Sequence, residues 1–182
     1  MTELPSTRPG GWDDASAPPV PAPLRLHRTT VPHEWVDYNA HMTESAYLLV
    51  MGDNSDAFFR YVGIDDDYRA SGRSLYTVET HLRNLREASE GDRLELTLRV
   101  LGSDEKRVHI AHEVLRDDGT LLATAEQLLL HVDSTAGRAA PMPDVLRERV
   151  AEIARAHAVL EVPDWVGRVI RIPRKAQAWT SS

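Results

Sequence analysis

The stretch WVDYNAHMTESAYLLVMG, Trp35 to Gly52, sets an Asp, a Tyr, an Asn and a His directly ahead of an apolar run. Asp37 is a carboxylate, able to serve as a general base or as a nucleophile. The run that follows reads as a helix. A helix N-terminus carries free N–H groups and the positive end of a dipole, which suit a developing oxyanion. An acid placed before such a terminus is therefore either a catalytic carboxylate or an Asx-turn residue of an ordinary loop. His41 either orients Asp37, contacts the reacting group, or holds the loop by a backbone hydrogen bond. Asn39 reads as a turn residue, Thr43 as a cap and Tyr47 as packing on the first turns.

A second polar set lies at YTVETHL, Tyr76 to Leu82. Glu79 and His81 are two apart and point to one side of a regular strand that also carries Leu75 and Leu85. Such a strand lines a pocket at an interface, or presents a polar surface. His109 and His112 are three apart, which on a strand sends them to opposite faces, so they do not share a metal ion. No metal or other cofactor is expected. His112 reads as an interior histidine with its hydrogen bonds satisfied.

The elements that must position these residues follow from pattern. Met1 to Pro23 is rich in Pro, Ala, Ser and Gly and reads as a flexible tail. Leu24 to about Val36 reads as a strand with Pro32 near its end. A helix is expected from about Thr43 to Val62, capped by Thr43 and stopped by Gly63. Its apolar character on nearly every side predicts that other structure wraps it. DDDYRASG is a short acidic turn or helix. Four strand-like runs, beginning at Ser74, Asp92, Glu105 and Thr120, are separated by EGD, GSDE and DDGT. These turn signals predict one long antiparallel meander. Leu94, Leu96, Leu98 and Val100 share one face, and so do Val108, Ile110, His112 and Val114. PMPDVLRERVAEIARAHA reads as an amphipathic helix with Asp144 as N-cap. VGRVIRIPRK reads as an edge strand or a basic clip for a ligand. The expected fold is α+β, a curved antiparallel sheet wrapped around a long central helix, with an extra C-terminal helix. The expected layout is a flexible tail at 1–23, one domain at 24–175 that includes the C-terminal helix and basic tail, and a flexible end at 176–182. Unpaired sheet edges favour a homo-oligomer, a dimer or a dimer of dimers.

Composition narrows the function. The chain has 182 residues, and its net charge of −7 argues against general nucleic-acid binding, which needs a basic footprint. It has no cysteine, which removes disulfides, thiolate catalysis and zinc–thiolate sites. No apolar run reaches membrane-span length, and the first residues do not read as a signal peptide, so a cytoplasmic location is expected. Neither a Gly-rich phosphate loop nor a G-x-S-x-G elbow is present.

The predicted topology together with DYNAHMTESAY resembles the hotdog-fold thioesterases of the 4-hydroxybenzoyl-CoA thioesterase type. Their motif is D-x-x-G-H-x-N-N-x-x-Y at the mouth of the central helix; Asp37, His41 and Tyr47 fall on its Asp, His and Tyr. The resemblance covers roughly Leu24 to Asp133. VDYNAHM, YTVETHL and ATAEQLLLHVD are most similar to the carnitine-linked betainyl-CoA thioesterase branch. Ala40 stands where the motif has Gly, Thr43 and Glu44 replace the Asn pair, and Asn84 stands where many relatives carry Tyr.

The resemblance implies hydrolysis of an acyl-CoA thioester, with Asp37 as the catalytic carboxylate and His41 beside it. A betainyl group carries a trimethylammonium, which a carboxylate and aromatic faces would suit. It therefore implies a substrate-binding set of Trp35, Tyr38, Asn39, Thr43, Tyr47, Tyr76, Glu79 and His81. The CoA phosphates call for basic groups, and Lys106, Arg107, Arg171 and Arg174 are the candidates. Two alternatives stay open: a hotdog dehydratase acting on hydroxyacyl thioesters, and an acyl-CoA-binding protein without turnover.

Overall fold

The computed structural model describes Arg8, Trp12 and residues 16–172. The chain forms β1 (Leu24–Thr30), a short 3-10 helix (His33–Trp35), α1 (Glu44–Val62), α2 (Asp66–Ala70) and β2 (Arg73–Asn84), followed by β3 (Arg93–Ser103), β4 (Arg107–Arg116), β5 (Leu121–Asp133), β6 (Arg138–Ala139) and α3 (Asp144–His157). One antiparallel sheet runs in the order β1-β3-β4-β5-β2, and β6 pairs with the end of β5. This is the hotdog architecture, a curled sheet closed over α1, with α3 as the extra helix.

The boundaries follow local chemistry. β1 stops at Thr30, short of the expected Val36, because Pro32 has no N–H to extend a ladder and the chain turns into the 3-10 helix. Thr43 occupies the N-cap of α1 with extended torsions. Gly63 ends α1 at φ 97, a left-handed torsion that glycine adopts without a steric cost. α3 begins one residue earlier than expected: Pro143 is its N-cap and Asp144 its first residue. α1 runs unbroken through the polar stretch GDNSD, in keeping with the expected helix to Val62.

The expected meander is corrected. β3, β4 and β5 are successive hairpin neighbours, but β2 pairs with β5 at the far edge and not with β3. The chain leaves β2 and crosses the sheet to reach β3, so EGD is a bend in a crossover and not a hairpin turn. β2 thereby becomes an edge strand of 12 residues with nothing paired along its outer side among the described residues.

The face of the sheet that meets α1 is apolar, as the alternation predicts. Leu94, Leu96, Leu98 and Val100 of β3 and Val108, Ile110 and Val114 of β4 are all buried there. Phe58, Tyr61 and Val62 of α1 join Met142, Leu146, Val150 and Ile153 in one part of the core; Ala46, Tyr47, Val50 and Met51 fill the other. α1 is not wrapped all round. Leu48 and Leu49 stand about half exposed on a stripe that continues through Gly52 and Asp53. The leading segment is anchored where it is described: Trp12 Nε1 donates to Tyr61 O at 3.1 Å, and Val20 is buried in the core.

His112 sits in this core with no exposed surface. Its Nδ1 lies 3.0 Å from Asn54 Nδ2, and its Nε2 lies 3.1 Å from Gln127 Oε1. The amide donates to Nδ1, so the imidazole is the neutral Nε2–H tautomer. Burial pushes its pKa down to about 4. His109 is on the other face, as its spacing from His112 predicts, with Nε2 2.7 Å from Glu126 Oε1.

Candidate active site at the mouth of α1

Between the 3-10 helix and α1 the chain makes a tight loop closed by two backbone bonds. Asp37 N donates to His41 O at 3.0 Å, and Ala40 N donates to Asp37 O at 3.0 Å. Closing so few residues forces Ala40 to φ 62. For an L-residue this torsion is strained by roughly 1 kcal/mol, because Cβ crowds the carbonyl oxygen. The loop is then fastened at its base. Thr43 N donates to Trp35 O at 2.8 Å, Met42 N to Ala88 O at 2.7 Å, and Val36 bridges Met42.

Within this loop the Asp37 carboxylate accepts Asn39 N at 2.8 Å and Asn39 Nδ2 at 3.3 Å. The backbone bond from Asn39 is the largest influence lowering the Asp37 pKa, with His41 N at 3.5 Å adding to it. The group is a carboxylate at neutral pH, and its orientation is fixed by its own loop. Asn39 is thus the turn residue that its type suggested. The His41 imidazole does not meet Asp37; its Nε2 lies 3.3 Å from Glu87 Oε2.

α1 begins immediately after the loop. Thr43 makes no side-chain cap bond; its Oγ1 lies 3.2 Å from Ser45 Oγ. The N–H groups of Glu44 and Ser45 have no acceptor among the described residues, since those of Ala46 and Tyr47 are the first to bond back, to Thr43 O. These two donors and the dipole of a 19-residue helix form a ready site for an oxyanion. Beside them is a cavity of about 310 Å3 lined by Met42, Glu44, Tyr47 and Asn84 to Glu87. Tyr47 is buried, and its hydroxyl donates to Arg86 O at 3.1 Å, which ties the first turn of α1 to the chain leaving β2.

The structure divides the remaining candidates. Trp35 is half-buried and packs against the part of the core that contains Met42 and Tyr47, whereas Tyr38 is 96% exposed in the loop. Tyr76, Glu79 and His81 are elsewhere, on the outer face of the sheet. A regular strand would have kept Glu79 and His81 on the same side as Leu75. β2 has a bulge at Val78, where the register shifts between Thr77 and Glu79, and one inserted residue turns every later side chain over. Leu75 therefore faces the core opposite His131, while Glu79 pairs with Leu128 and His81 with Glu126. Glu79 and His81 line an outer-face cavity of about 410 Å3 with His109, Glu126, Gly167 and Arg168.

The basic candidates lie apart from the loop in sequence and in partners. Lys106 and Arg107 line a cavity of about 450 Å3 at the β3–β4 turn. Arg107 Nε donates to Asp104 Oδ2 at 2.8 Å, and the Arg107 guanidinium with neighbouring N–H groups holds the Asp104 pKa at about 2. Arg107 is thus already paired. Arg171 is exposed, and Arg174 lies outside the described residues. The residues at 166–172 form no strand, so the edge-strand expectation is not met over that part of the tail, and 173–175 lie outside the described residues. Among the described residues no group of three or more His, Asp or Glu has metal-binding geometry, and no helix is long and apolar enough to cross a membrane.

Glu44, Arg86, Glu87 and Ala88 belong to the mouth of α1, and their types did not single them out. Glu87 and Ala88 come into place only because β2 runs antiparallel to β5 and ends beside α1. Local sequence carries no such signal.

Comparison with known proteins gives a consistent pattern. Residues 31–150 match the model of the Thioesterase-like superfamily. The L-carnitine dehydrogenase/betainyl-CoA thioesterase of Agrobacterium fabrum is 48% identical over 152 residues, covering 84% of this chain and 31% of that protein. The chain thus spans about a third of the length of this fused relative, the share being 31%. The betainyl-CoA thioesterase of Pseudomonas aeruginosa is 45% identical over 152 residues, covering 82% of this chain and 96% of that one. A Staphylococcus aureus protein solved in complex with CoA superposes with a TM-score of 0.77 at 26% identity, covering 85% of this chain and 99% of that one.

Proposed function

The chain belongs to the Thioesterase-like superfamily, and from that premise we propose that it hydrolyses an acyl-CoA thioester to the free acid and CoA at the mouth of α1. The observation that carries this reading is the pairing of an ionised, loop-fixed Asp37 with the unbonded N–H groups of Glu44 and Ser45. In the proposed reaction the thioester carbonyl oxygen points at those N–H groups. Asp37 either takes a proton from the attacking water and passes it to the thiolate as the C–S bond breaks, or attacks the carbonyl carbon itself. In the second route the C–S bond breaks to leave a mixed anhydride on Asp37, the thiolate departs, and a water then hydrolyses the anhydride, giving one proton to the thiolate and releasing the free acid. The helix terminus stabilises the charge that gathers on the oxygen before that break. His41, held near Glu87, flanks the site and positions it.

The acyl group we propose is small and cationic, with betainyl the first choice. The relatives named above act on betainyl-CoA by name. The cavity of about 310 Å3 suits a short chain, and Glu44 and Glu87 bring two carboxylates to its rim. The cation would gain from these charges and from Trp35. Lys106, Arg171 and Arg174 are proposed for the CoA phosphates, with Arg107 contributing through its Asp104-bound guanidinium. The hydroxyacyl dehydratase alternative needs the His41 imidazole and the Asp37 carboxylate to work as a pair; their separate partners, Glu87 and Asn39, disfavour it.

We propose a cytoplasmic homodimer joined through the open edge of β2, alone or as half of a tetramer. The support is 12 residues of strand without an outer partner among the described residues, beside half-exposed Tyr76 and Val78 on β2 and Leu48 and Leu49 on α1. The test of the reaction is thiol release across acyl-CoAs. Betainyl-CoA should turn over at least tenfold faster, by kcat/KM, than acetyl-CoA or octanoyl-CoA. Faster turnover of a neutral acyl chain would overturn the cationic choice, and no thiol release from any of them would overturn the hydrolase.

A further inference from the structure

The chain beyond α3 leaves the core side of the sheet and passes to its outer face. Arg99 donates to Leu160 O at 3.0 Å and Glu161 O at 2.7 Å, which holds the chain against β3. Trp165 is buried, and Gly167 N donates to Glu126 Oε2 at 2.6 Å. Arg99, Ala111, Glu126 and His81 form one row across β3, β4, β5 and β2. The segment therefore crosses the strands in the direction of β2, and Arg168 shares the outer-face cavity with Glu79 and His81.

The next residues have no cover of their own. Val169, Ile170 and Ile172 are 77%, 87% and 91% exposed. They follow a segment aimed at the β2 edge, whose 12 residues have no outer partner among the described residues. We propose that Arg168–Ile172 is an arm that passes over the β2 edge and lies on the outer face of a second copy of the chain. This rests on the dimer through β2 proposed above.

Geometry supports the reach and selects the contact. Strands in a sheet lie about 4.8 Å apart, so a second copy's β2 is roughly 10 Å from Gly167 over β5. Five extended residues span up to about 17 Å. A two-fold axis through the middle of β2, between Val78 and Glu79, sets His81 of one copy opposite Tyr76 of the other. The arm that runs along the His81 row therefore arrives on Tyr76 of the second copy, whose ring is half exposed and on the same outer face. The two arms cross at points about 16 Å apart along the paired strands and do not collide. Apolar residues of the arm thus meet the apolar ring of the second copy.

The absence of cysteine makes the test direct. Tyr76→Cys and Ile170→Cys chains are prepared separately, mixed under conditions that exchange subunits, and oxidised. A disulfide-linked heterodimer is expected in the mixture and not with either variant alone. A double Tyr76→Cys/Ile170→Cys chain that closes only within itself, or a mixture that gives no cross-link, overturns the arm. Val169→Asp/Ile170→Asp, which leaves the core and the mouth of α1 untouched, should weaken self-association at least tenfold by sedimentation, and unchanged association overturns the arm as well. Sedimentation of the unmodified chain separates the two proposals: a dimer that fails to cross-link sinks the arm alone, whereas a monomer sinks the dimer and the arm together.

Discussion

Asn39 N donates to the carboxylate of Asp37 at 2.8 Å, two residues back along the chain. This bond helps hold the carboxylate against its own loop and is the largest influence lowering its pKa. It also means that removing Asp37 changes two things, a charge and a turn.

The substitution Asp37→Asn separates them. An asparagine Oδ1 still accepts the Asn39 N–H, so the loop and the unfolding midpoint should change little. The general base or nucleophile is lost, and kcat/KM should fall by about 100- to 10,000-fold. Asp37→Ala should lose activity to the same degree and also lose some stability with the missing turn bond. Steady-state kinetics and urea melts on the same preparations check both. Turnover within threefold of wild type in Asp37→Asn would remove Asp37 from the chemistry.

Because the loop lowers the Asp37 pKa, its carboxylate form persists below the ordinary Asp range of about 3.9. The acid limb of kcat/KM that belongs to Asp37 should therefore lie below that range. In Asn39→Ala the side-chain bond is lost but the backbone donor remains, so that limb should move upward by only a small amount. A pH–rate profile over the stable acid range checks the direction.

The loop and the helix were legible in the residues to very different degrees. Thr43 and Gly63 mark the ends of α1 because capping is a local matter, and both occupy the expected places. The alternation of Leu94 to Val100 and of Val108 to Val114 gave the buried face for the same reason. The neighbour of β2 is set by long-range pairing, which no turn signal around Glu90 to Asp92 encodes. The face of Glu79 and His81 was hidden by one inserted residue at Val78. Nothing in the types of Glu87 or Ala88 announced that they would meet the start of α1.

Ala40 offers a test of strain in the loop. Its φ of 62 suits glycine. Ala40→Gly should stabilise the protein by up to about 1 kcal/mol, the relief of the left-handed torsion being partly offset by greater freedom of the unfolded chain. Equilibrium urea unfolding measures this, with the slope unchanged. A destabilised variant would show that the torsion is not strained in solution.

His112 predicts how stability varies with acid. Its folded pKa of about 4 lies below the ordinary value of 6.5, because burial penalises the imidazolium. The unfolded chain thus takes up the proton first as pH falls. The contribution is fully present above 6.5 and declines as pH drops towards 4, by on the order of 3 kcal/mol in total. His157 acts in the same direction: burial lowers its pKa, its Nδ1 accepts Val100 N at 2.9 Å, and its Nε2 donates to Pro21 O at 2.9 Å. Protonation of His157 would leave Val100 N facing a second donor. Urea midpoints at pH 7 and pH 5 should therefore differ, with the lower pH less stable. The His112 imidazole signals should also hold still between those two values in NMR. A His112 that titrates near 6.5 in the folded protein would remove the buried network as the source of the acid sensitivity.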